Sequence, residues 1–354
     1  MLIDQFKRLC EVITPLHFDW IQVEISAVCN ASCPYCVLNC YKGERPGGLM
    51  DMETFEHLEP SFKNADLLYL QGWGEPLVHP RFWDMVRRVK SSGAKVGFTT
   101  NGILLSPENL SMLLQTNVDI MGISLAGTSR TTNERFRKGC DLEGIDRSLR
   151  ELKRMKEARP DAGTRVHLAF MLLCSNRHEL RELPGLAHEW GVSQIVVSNL
   201  SLVASREMED ESILVHPELW QEAIEALEAA KRDATEKGIE FHYYRPDVGE
   251  PCQVCKENVL RSCVVSYRGD VTPCVMANIN AREGSEAMYY FQNQGYPVEQ
   301  CIFGNINELP LRDIWNSTKA REFRAGFEKR LTTEHPGMSY LPDMCGHWYK
   351  LLER

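Results

Sequence analysis

The chain has 354 residues, a formal net charge of −9, and a composition that is 43% hydrophobic and 25% charged. These values are typical of a globular protein with enough residues for a sizeable core. The acidic balance argues against a nucleic-acid partner, whose phosphates call for basic surfaces, and no apolar run approaches the roughly 18 residues of a membrane-spanning helix. The first residues lack the layout of a signal peptide, so we expect a cytoplasmic protein with no membrane partner.

Strand-like and helix-like segments alternate through the first two thirds of the chain. Apolar strands are predicted near 20–26, 66–71, 95–100, 118–125, 165–173 and 194–198. Helical patterns occupy about 52–60, 80–92, 106–116, 142–158, 177–190 and 217–237. Repeated strand–helix units with right-handed crossovers predict an α/β fold, a parallel sheet curled into a partial (β/α)6 barrel of the TIM type. Functional groups of such barrels collect at the C-terminal ends of the strands.

Three cysteines follow the first predicted strand directly. Cys29, Cys33 and Cys36 have the spacing CxxxCxxC. Since the cytosol keeps thiols reduced, closely spaced cysteines there indicate metal or iron–sulfur ligation rather than disulfides. Three thiolates on one short loop can hold three irons of a [4Fe–4S] cluster and leave the fourth iron open to a chelating ligand. A structural zinc site is the alternative, because zinc also binds closely spaced cysteines.

The cysteine motif, with Tyr35 before its last cysteine, resembles the signature of the radical S-adenosylmethionine (SAM) superfamily. The resemblance implies that a reduced cluster at this loop cleaves SAM to methionine and a 5′-deoxyadenosyl radical, which abstracts hydrogen from a substrate. It implies that Tyr35 lies near the adenine. It also implies a flavodoxin- or ferredoxin-type protein as the electron donor.

The loop after the second strand is similar to the Gly-Gly-Glu-type motif of that superfamily. It contains Gly74 and Glu75, with Trp73 where the first glycine of the triplet often lies. Glycines at a strand end let the backbone approach a ligand closely. The resemblance implies that this backbone and Glu75 receive the methionyl ammonium group of SAM. A turn with a solvated glutamate is the alternative.

Polar residues after later strands complete the predicted cofactor contacts. Thr100 and Asn101 end the third strand and can hydrogen-bond a ribose. Ser124 lies in a segment similar to the family's Ser-Leu-Asp-Gly-type sequence, with Ala126 in place of the acid. Asn176, after the fifth strand, matches a position that is often polar in the family. Helix capping is the alternative for Thr100, Asn101 and Asn176.

The character of the sequence changes near Tyr243, where cysteines return. We divide the chain there into a barrel, residues 1–243, and a small cysteine-rich α+β domain, residues 244–354. The segment from Val264 to Cys274 predicts a β-hairpin with a Gly-Asp turn. The spacing of Cys255, Gly269 and Cys274 resembles the opening of the SPASM/twitch extension, which carries auxiliary [4Fe–4S] clusters in many radical enzymes.

We predict one auxiliary [4Fe–4S] cluster, because the cysteine run that would bind a second one in a full SPASM domain is missing. The predicted ligands are four cysteines: Cys255, Cys263, Cys274 and Cys345. For the fourth ligand, the alternatives to Cys263 are Cys252, Cys301 and His347. A zinc ribbon remains the alternative for the pair Cys252 and Cys255.

These features predict a radical SAM enzyme of the maturase type, which oxidises or cross-links a peptide, protein or cofactor precursor. Only 28 residues precede Cys29, which favours a cofactor or small-molecule substrate over a leader-guided peptide. One alternative is a dehydrogenase of a small-molecule alcohol. Another, from a different class, is a non-catalytic iron–sulfur or zinc protein of electron transfer or assembly. The Gly74–Glu75 loop, one strand after the cysteine loop, argues against this last alternative.

Overall fold

The computed structural model describes residues 16–42, 47–159, 163–247, 255–279, 287–334, 339–341 and 345. Two of the alternative cluster ligands, Cys252 and His347, lie outside the described residues. Within them, none of the helices is both long and apolar enough to cross a membrane.

Ten of the described strands form one sheet. Its strands are β1 Phe18–Val23, β2 Ala65–Tyr69, β3 Lys95–Thr100, β4 Ile120–Leu125, β5 Arg165–Leu172, β6 Gln194–Asn199, β7 Glu240–Tyr243, β8 Ser262–Val265, β9 Asp270–Thr272 and β12 Gly304–Asn305. Their order is β12-β9-β8-β1-β2-β3-β4-β5-β6-β7. Neighbours from β8 to β7 in this order pair in parallel, whereas β9 and β12 pair antiparallel. The strands β10 Met288–Phe291 and β11 Gln294–Pro297 form a separate hairpin.

The helices follow the strands as expected for an α/β barrel. They are α1 Val37–Cys40, α2 Met52–Leu58, α3 Phe82–Ser91, α4 Pro107–Gln115, α5 Arg130–Phe136, α6 Leu142–Glu157, α7 Leu183–Glu189, α8 Pro217–Glu236, α9 Leu311–Trp315 and α10 Thr318–Leu331. The predicted barrel architecture is confirmed, with two parallel strands beyond the six predicted: β7, and β8, which was expected only as part of a hairpin. The pattern predicted as one helix over 177–190 is a 3₁₀ segment, Cys174–Glu182, followed by α7.

Local sequence accounts for where these elements begin and what they bury. Asp51, Ser106 and Asp141 cap α2, α4 and α6 by accepting hydrogen bonds from backbone N–H groups of the first turn. The parallel strands bury large apolar side chains in the hydrophobic core: Ile21, Leu68, Phe98, Ile123 and Leu168, each at most 1% exposed. Burial of this apolar surface is the main contribution to the stability of the barrel.

The cysteine-rich C-terminal part continues the barrel sheet rather than standing apart from it. Strand β8 pairs with β1, with Cys263 opposite Ile21. Phe18 of β1 also packs edge-on against Trp315 of α9, with 4.9 Å between the ring centroids. The C-terminal part therefore borders β1, the strand that leads into the CxxxCxxC loop.

Candidate active site

One continuous cavity of about 620 Å³ brings the two groups of cysteines together. Its walls include all three cysteines of the CxxxCxxC loop and three from the C-terminal part: Cys29, Cys33, Cys36, Cys255, Cys274 and Cys345. Residues at the ends of β3, β4 and β6 complete it, which agrees with the expectation that functional groups collect at the C-terminal ends of the strands. The volume is within the range of small-molecule and cofactor sites.

Backbone and amide groups hold the first cysteine loop. Cys29 Sγ accepts a hydrogen bond from Ala31 N at 3.4 Å and from Asn101 Nδ2 at 3.5 Å. The Cys36 N–H donates to the Cys33 carbonyl at 3.1 Å, which closes the loop into a turn just before α1. These N–H donors favour the thiolate form, which is the form that ligates iron, although burial has the larger effect and raises the pKa of Cys29.

A buried cation lies beside this loop. Arg137, which ends α5 and is 8% exposed, donates from Nη1 to the Tyr35 hydroxyl at 3.0 Å. A hydrogen bond with Cys140, together with the nearby Arg137 charge, lowers the pKa of Cys33 against the opposing effect of burial. Burial raises the pKa of Cys36 to about 12. The Arg137 Nε is buried and has no hydrogen-bond partner among the described residues.

Glu75 organises the two neighbouring loops instead of facing solvent. It is 2% exposed, and its Oε1 accepts from Thr100 Oγ1 at 2.7 Å and from Leu77 N at 3.1 Å. Its Oε2 accepts from Asn101 N at 2.7 Å. Burial raises the pKa of this carboxyl, although the hydrogen bonds favour its charged form. Glu75 also lines the cavity, where the remaining lone pairs of a carboxylate are available to a donor on a ligand.

The loop that carries Glu75 can take its path only with glycine at position 74. A Cβ atom there would lie 2.3 Å from the Ser26 carbonyl oxygen and 2.6 Å from that of Val28. Both of those atoms belong to the segment that leads into the cysteine loop. Gly74 therefore allows the second loop to approach the first, and Glu75 N donates to the Val28 carbonyl at 2.9 Å.

The structure brings most of the predicted cofactor contacts to the cavity. Tyr35, Thr100, Asn101 and Ser124 all line it. Asn101 is held in place by its own neighbours, since its Nδ2 donates to Asn30 Oδ1 at 2.8 Å. The Thr100 hydroxyl is already used by Glu75. Ser124, at the end of β4, and Tyr35 are half-buried, whereas Thr100 and Asn101 are buried.

Asn176 is placed differently from the other predicted contacts. It is fully buried, and its Nδ2 donates to the carbonyls of Ala126 at 3.0 Å and Met171 at 2.9 Å. Its Oδ1 accepts from Leu173 N at 2.8 Å. The amide therefore joins the ends of β4 and β5, and the structure does not bring it to the cavity wall.

Three of the four predicted auxiliary ligands meet at the far end of the cavity. Cys255, Cys274 and Cys345 line it together. Burial raises the pKa of Cys345 to about 12, with further contributions from neighbouring Cys255 and Cys301. The structure does not bring Cys263 to this group, because its place in β8 is fully buried between β1 and β9. Cys301, rather than Cys263, is the further cysteine that neighbours Cys345.

Sequence reasoning missed two residues that interact with Cys33. Arg137 and Cys140 both follow α5, a short helix that the apolar pattern did not predict. Cys140 is fully buried, and on the sequence alone it is a small core residue. A possible signal was the helix cap at Ser129, whose side chain accepts from Thr132 N and marks the start of α5.

Comparisons with known proteins agree with this geometry. A family model of the radical SAM superfamily matches residues 23–183, and the SPASM model, an iron–sulfur cluster-binding domain, matches residues 244–340. The tungsten-containing aldehyde ferredoxin oxidoreductase cofactor-modifying protein of Pyrococcus furiosus is 29% identical over 318 residues, which cover 86% of this chain and 83% of that protein.

Two further comparisons concern a protein described as a maturase and a protein of known structure. Mycofactocin maturase MftC of Mycobacterium tuberculosis is 28% identical over 193 residues, which cover 54% of this chain and 46% of MftC. The crystal structure of Streptococcus suis SuiB bound to S-adenosylmethionine matches with a TM-score of 0.66 at 14% identity, covering 90% of this chain and 70% of SuiB. The likeness to SuiB shows a shared fold.

Proposed function

We propose, from the premise that this chain belongs to the radical SAM superfamily and carries a C-terminal SPASM domain, that it is a maturase acting on the precursor of a cofactor. Membership of the superfamily makes it an enzyme that uses SAM and iron–sulfur clusters for oxidative modification. The observation that carries the proposal is the single cavity lined by both groups of cysteines. A substrate held there lies between the site of radical formation and a second redox centre.

The residues around the first cysteine loop fit a cluster and SAM. Cys29, Cys33 and Cys36 supply the three thiolates, and the unpartnered Nε of buried Arg137 fits an anionic group such as the carboxylate of SAM. Burying a cationic donor without a partner is unfavourable, so a bound anion stabilises this site. Ser124 offers a further hydroxyl from the end of β4. When bound and reduced, the cluster supplies the electron that cleaves SAM, and the resulting radical takes hydrogen from the substrate.

The chain itself contributes orientation and exclusion of water. Glu75 fixes the loops after β2 and β3 through three hydrogen bonds, so the groups that face SAM are held in position before SAM binds. The apolar side chains of Val37, Leu202 and Leu214 face the same cavity. They keep water away from a reactive intermediate.

We propose one auxiliary [4Fe–4S] cluster at the far end of the cavity. Cys255, Cys274 and Cys345 supply three ligands, and Cys301, as the neighbour of Cys345, supplies the fourth in place of Cys263. Its proposed role is to accept an electron from the oxidised substrate. A flavodoxin- or ferredoxin-type protein is the proposed donor for the first cluster.

Two kinds of substrate are known from the similar proteins. The Pyrococcus relative, whose alignment covers most of both chains, is described as cofactor-modifying, which supports a cofactor precursor. MftC is a maturase, and SuiB has been crystallised with the precursor peptide SuiA, which supports a peptide. We favour the cofactor precursor because the Pyrococcus alignment covers 86% of this chain and 83% of that protein. This is more than for MftC of Mycobacterium tuberculosis, at 54% and 46%, or MftC of Mycolicibacterium smegmatis, at 78% and 68%.

Fractionated cell extract distinguishes the two substrate classes. Reconstituted protein is mixed anaerobically with SAM and dithionite. Either the small-molecule filtrate or the macromolecular retentate of a cell extract is then added, and the 5′-deoxyadenosine formed is measured. We expect the filtrate to raise the rate of 5′-deoxyadenosine formation above the rate without extract. Stimulation by the retentate alone, abolished by protease, would replace the cofactor precursor by a peptide or protein substrate.

A further inference from the structure

A fully buried glutamate connects the SAM loop to the auxiliary-cluster segment. Glu24 directly follows β1 and is 0% exposed. Its Oε1 accepts from the Trp73 N–H at 3.0 Å, and its Oε2 accepts from Asn278 Nδ2 at 3.2 Å. Burying a carboxylate is costly unless hydrogen bonds compensate it, so both donors are needed to keep Glu24 in this place.

The two donors belong to different parts of the site. Trp73 immediately precedes Gly74 and Glu75 in the loop after β2. Asn278 ends the short 3₁₀ turn Val275–Ala277, which begins directly after Cys274. The Trp73 indole adds a direct link, since its Nε1 donates to the Asn278 carbonyl at 3.1 Å. Three hydrogen bonds therefore join the SAM loop to the segment that carries an auxiliary ligand.

The surrounding sequence is fitted to this arrangement. A Cβ atom at Gly72 would lie 2.2 Å from Glu24 Cγ, so glycine at that position makes room for the glutamate. The Glu24 N–H also donates to the Val265 carbonyl of β8 at 2.8 Å, which holds its backbone against the C-terminal part. The tryptophan that replaces the family's glycine at position 73 has a physical reason here, because its indole reaches the Asn278 carbonyl.

We propose that Glu24 is a positioning residue that sets the separation between the SAM site and the auxiliary cluster. The inference rests on the proposed function, in which an electron passes from substrate to the auxiliary cluster. A displacement of about 1 Å of reacting groups can reduce a rate on the order of a hundredfold, so the separation of the two sites matters to a substrate held between them. Loosening the link between Trp73 and Asn278 would change this separation without removing any ligand of either cluster.

Magnetic coupling between the two reduced clusters, measured by EPR on fully reconstituted protein, reports their separation directly. We expect Glu24→Ala and Asn278→Ala to keep the iron content and the SAM-induced change of the first cluster's spectrum. Both should lose the well-defined inter-cluster coupling and shift the potential of the auxiliary cluster. Because the two side chains act through one link, the double variant should change little beyond Glu24→Ala alone.

Two further variants separate positioning from general destabilisation. Glu24→Gln should retain the coupling: its carbonyl accepts from Trp73, and its amide can donate to Asn278 Oδ1 once the Asn278 amide, whose Nδ2 faces Glu24, turns over. That Oδ1 is buried and lacks a partner among the described residues, so the turn breaks no bond to it. Glu179→Ala is the matched control, since Glu179 is 4% exposed and holds the loop at Thr128. It should lower stability and leave the coupling unchanged.

The outcomes decide the inference and the proposed function separately. Unaltered coupling and potential in Glu24→Ala and Asn278→Ala, with full iron, would overturn the positioning role whatever the activity. If Glu24→Ala does not fold, Asn278→Ala decides, because it leaves the bond between Glu24 and Trp73 in place. A wild-type protein that shows coupling but forms no 5′-deoxyadenosine would instead overturn the proposed function.

Discussion

Replacing Glu75 by glutamine should destabilise the cavity wall and weaken SAM binding together. In the wild-type protein the Asn101 N–H donates to Glu75 Oε2 at 2.7 Å. If the glutamine carbonyl keeps the hydrogen bonds from Thr100 and Leu77, the glutamine NH₂ group faces this N–H instead. Two donors then oppose each other in a buried place. Losing a hydrogen bond to a charged group costs about 1.5–3 kcal/mol. At roughly 2 °C for each kcal/mol in a protein of this size, the melting temperature should fall by about 3–6 °C.

Thermal unfolding and an EPR titration of the first cluster with SAM measure the two effects on the same sample. We expect unchanged iron, a lower melting temperature and weaker SAM binding, because the carboxylate also faces the ligand in the cavity. Glu59→Gln is the control: Glu59 forms an ion pair with Arg88 at the surface, which is worth at most about 1 kcal/mol. Unaltered SAM affinity in Glu75→Gln, with the expected loss of stability, would restrict Glu75 to the support of the loops.

Three further predictions concern the metal ligands and the barrel interior. Replacing Cys29, Cys33 and Cys36 together by alanine should lower the iron content from about eight to about four atoms per chain, as each cubane holds four. Full iron in a folded triple variant would contradict the assignment. Cys301→Ala should lose the auxiliary EPR signal while Cys263→Ala keeps it, and the reverse result would restore Cys263 as the ligand. Burial lowers the pKa of His167 to about 4, with a smaller effect of the Arg165 charge. Between pH 6.5 and 4 the unfolded chain therefore binds a proton that the folded chain does not, so stability is full above pH 6.5 and falls by about 1.4 kcal/mol per pH unit as the pH decreases. In urea unfolding, His167→Gln should make the free energy of unfolding depend less on pH in this range. The same pH dependence in the variant as in the wild-type protein would show that other groups cause it.

The barrel could be predicted because most of its strands contain short apolar runs and several of its helices begin at capping residues. The first cysteine loop was predictable for a different reason, since its three ligands are close in sequence and directly follow β1. Strand β7 was not predicted because it has only four residues, and its pairing with β6 becomes visible only in three dimensions.

The residues that sequence reasoning missed or misplaced are those whose role depends on distant neighbours. Glu24 is an ordinary strand-end residue until Trp73 and Asn278 are brought to it from positions 49 and 254 residues away. Cys263 was favoured as a ligand because it lies beside the predicted hairpin. The register of β8 against β1 instead buries it in the sheet, and no local pattern specifies that register.

Formation of 5′-deoxyadenosine tests the central claim most directly. Anaerobically reconstituted protein, with its iron and sulfide content established, is reduced with dithionite and supplied with SAM, and the nucleoside is quantified by chromatography. The account predicts 5′-deoxyadenosine from the wild-type protein, and none from the variant without Cys29, Cys33 and Cys36. An intact, reduced wild-type protein that leaves SAM uncleaved would contradict it.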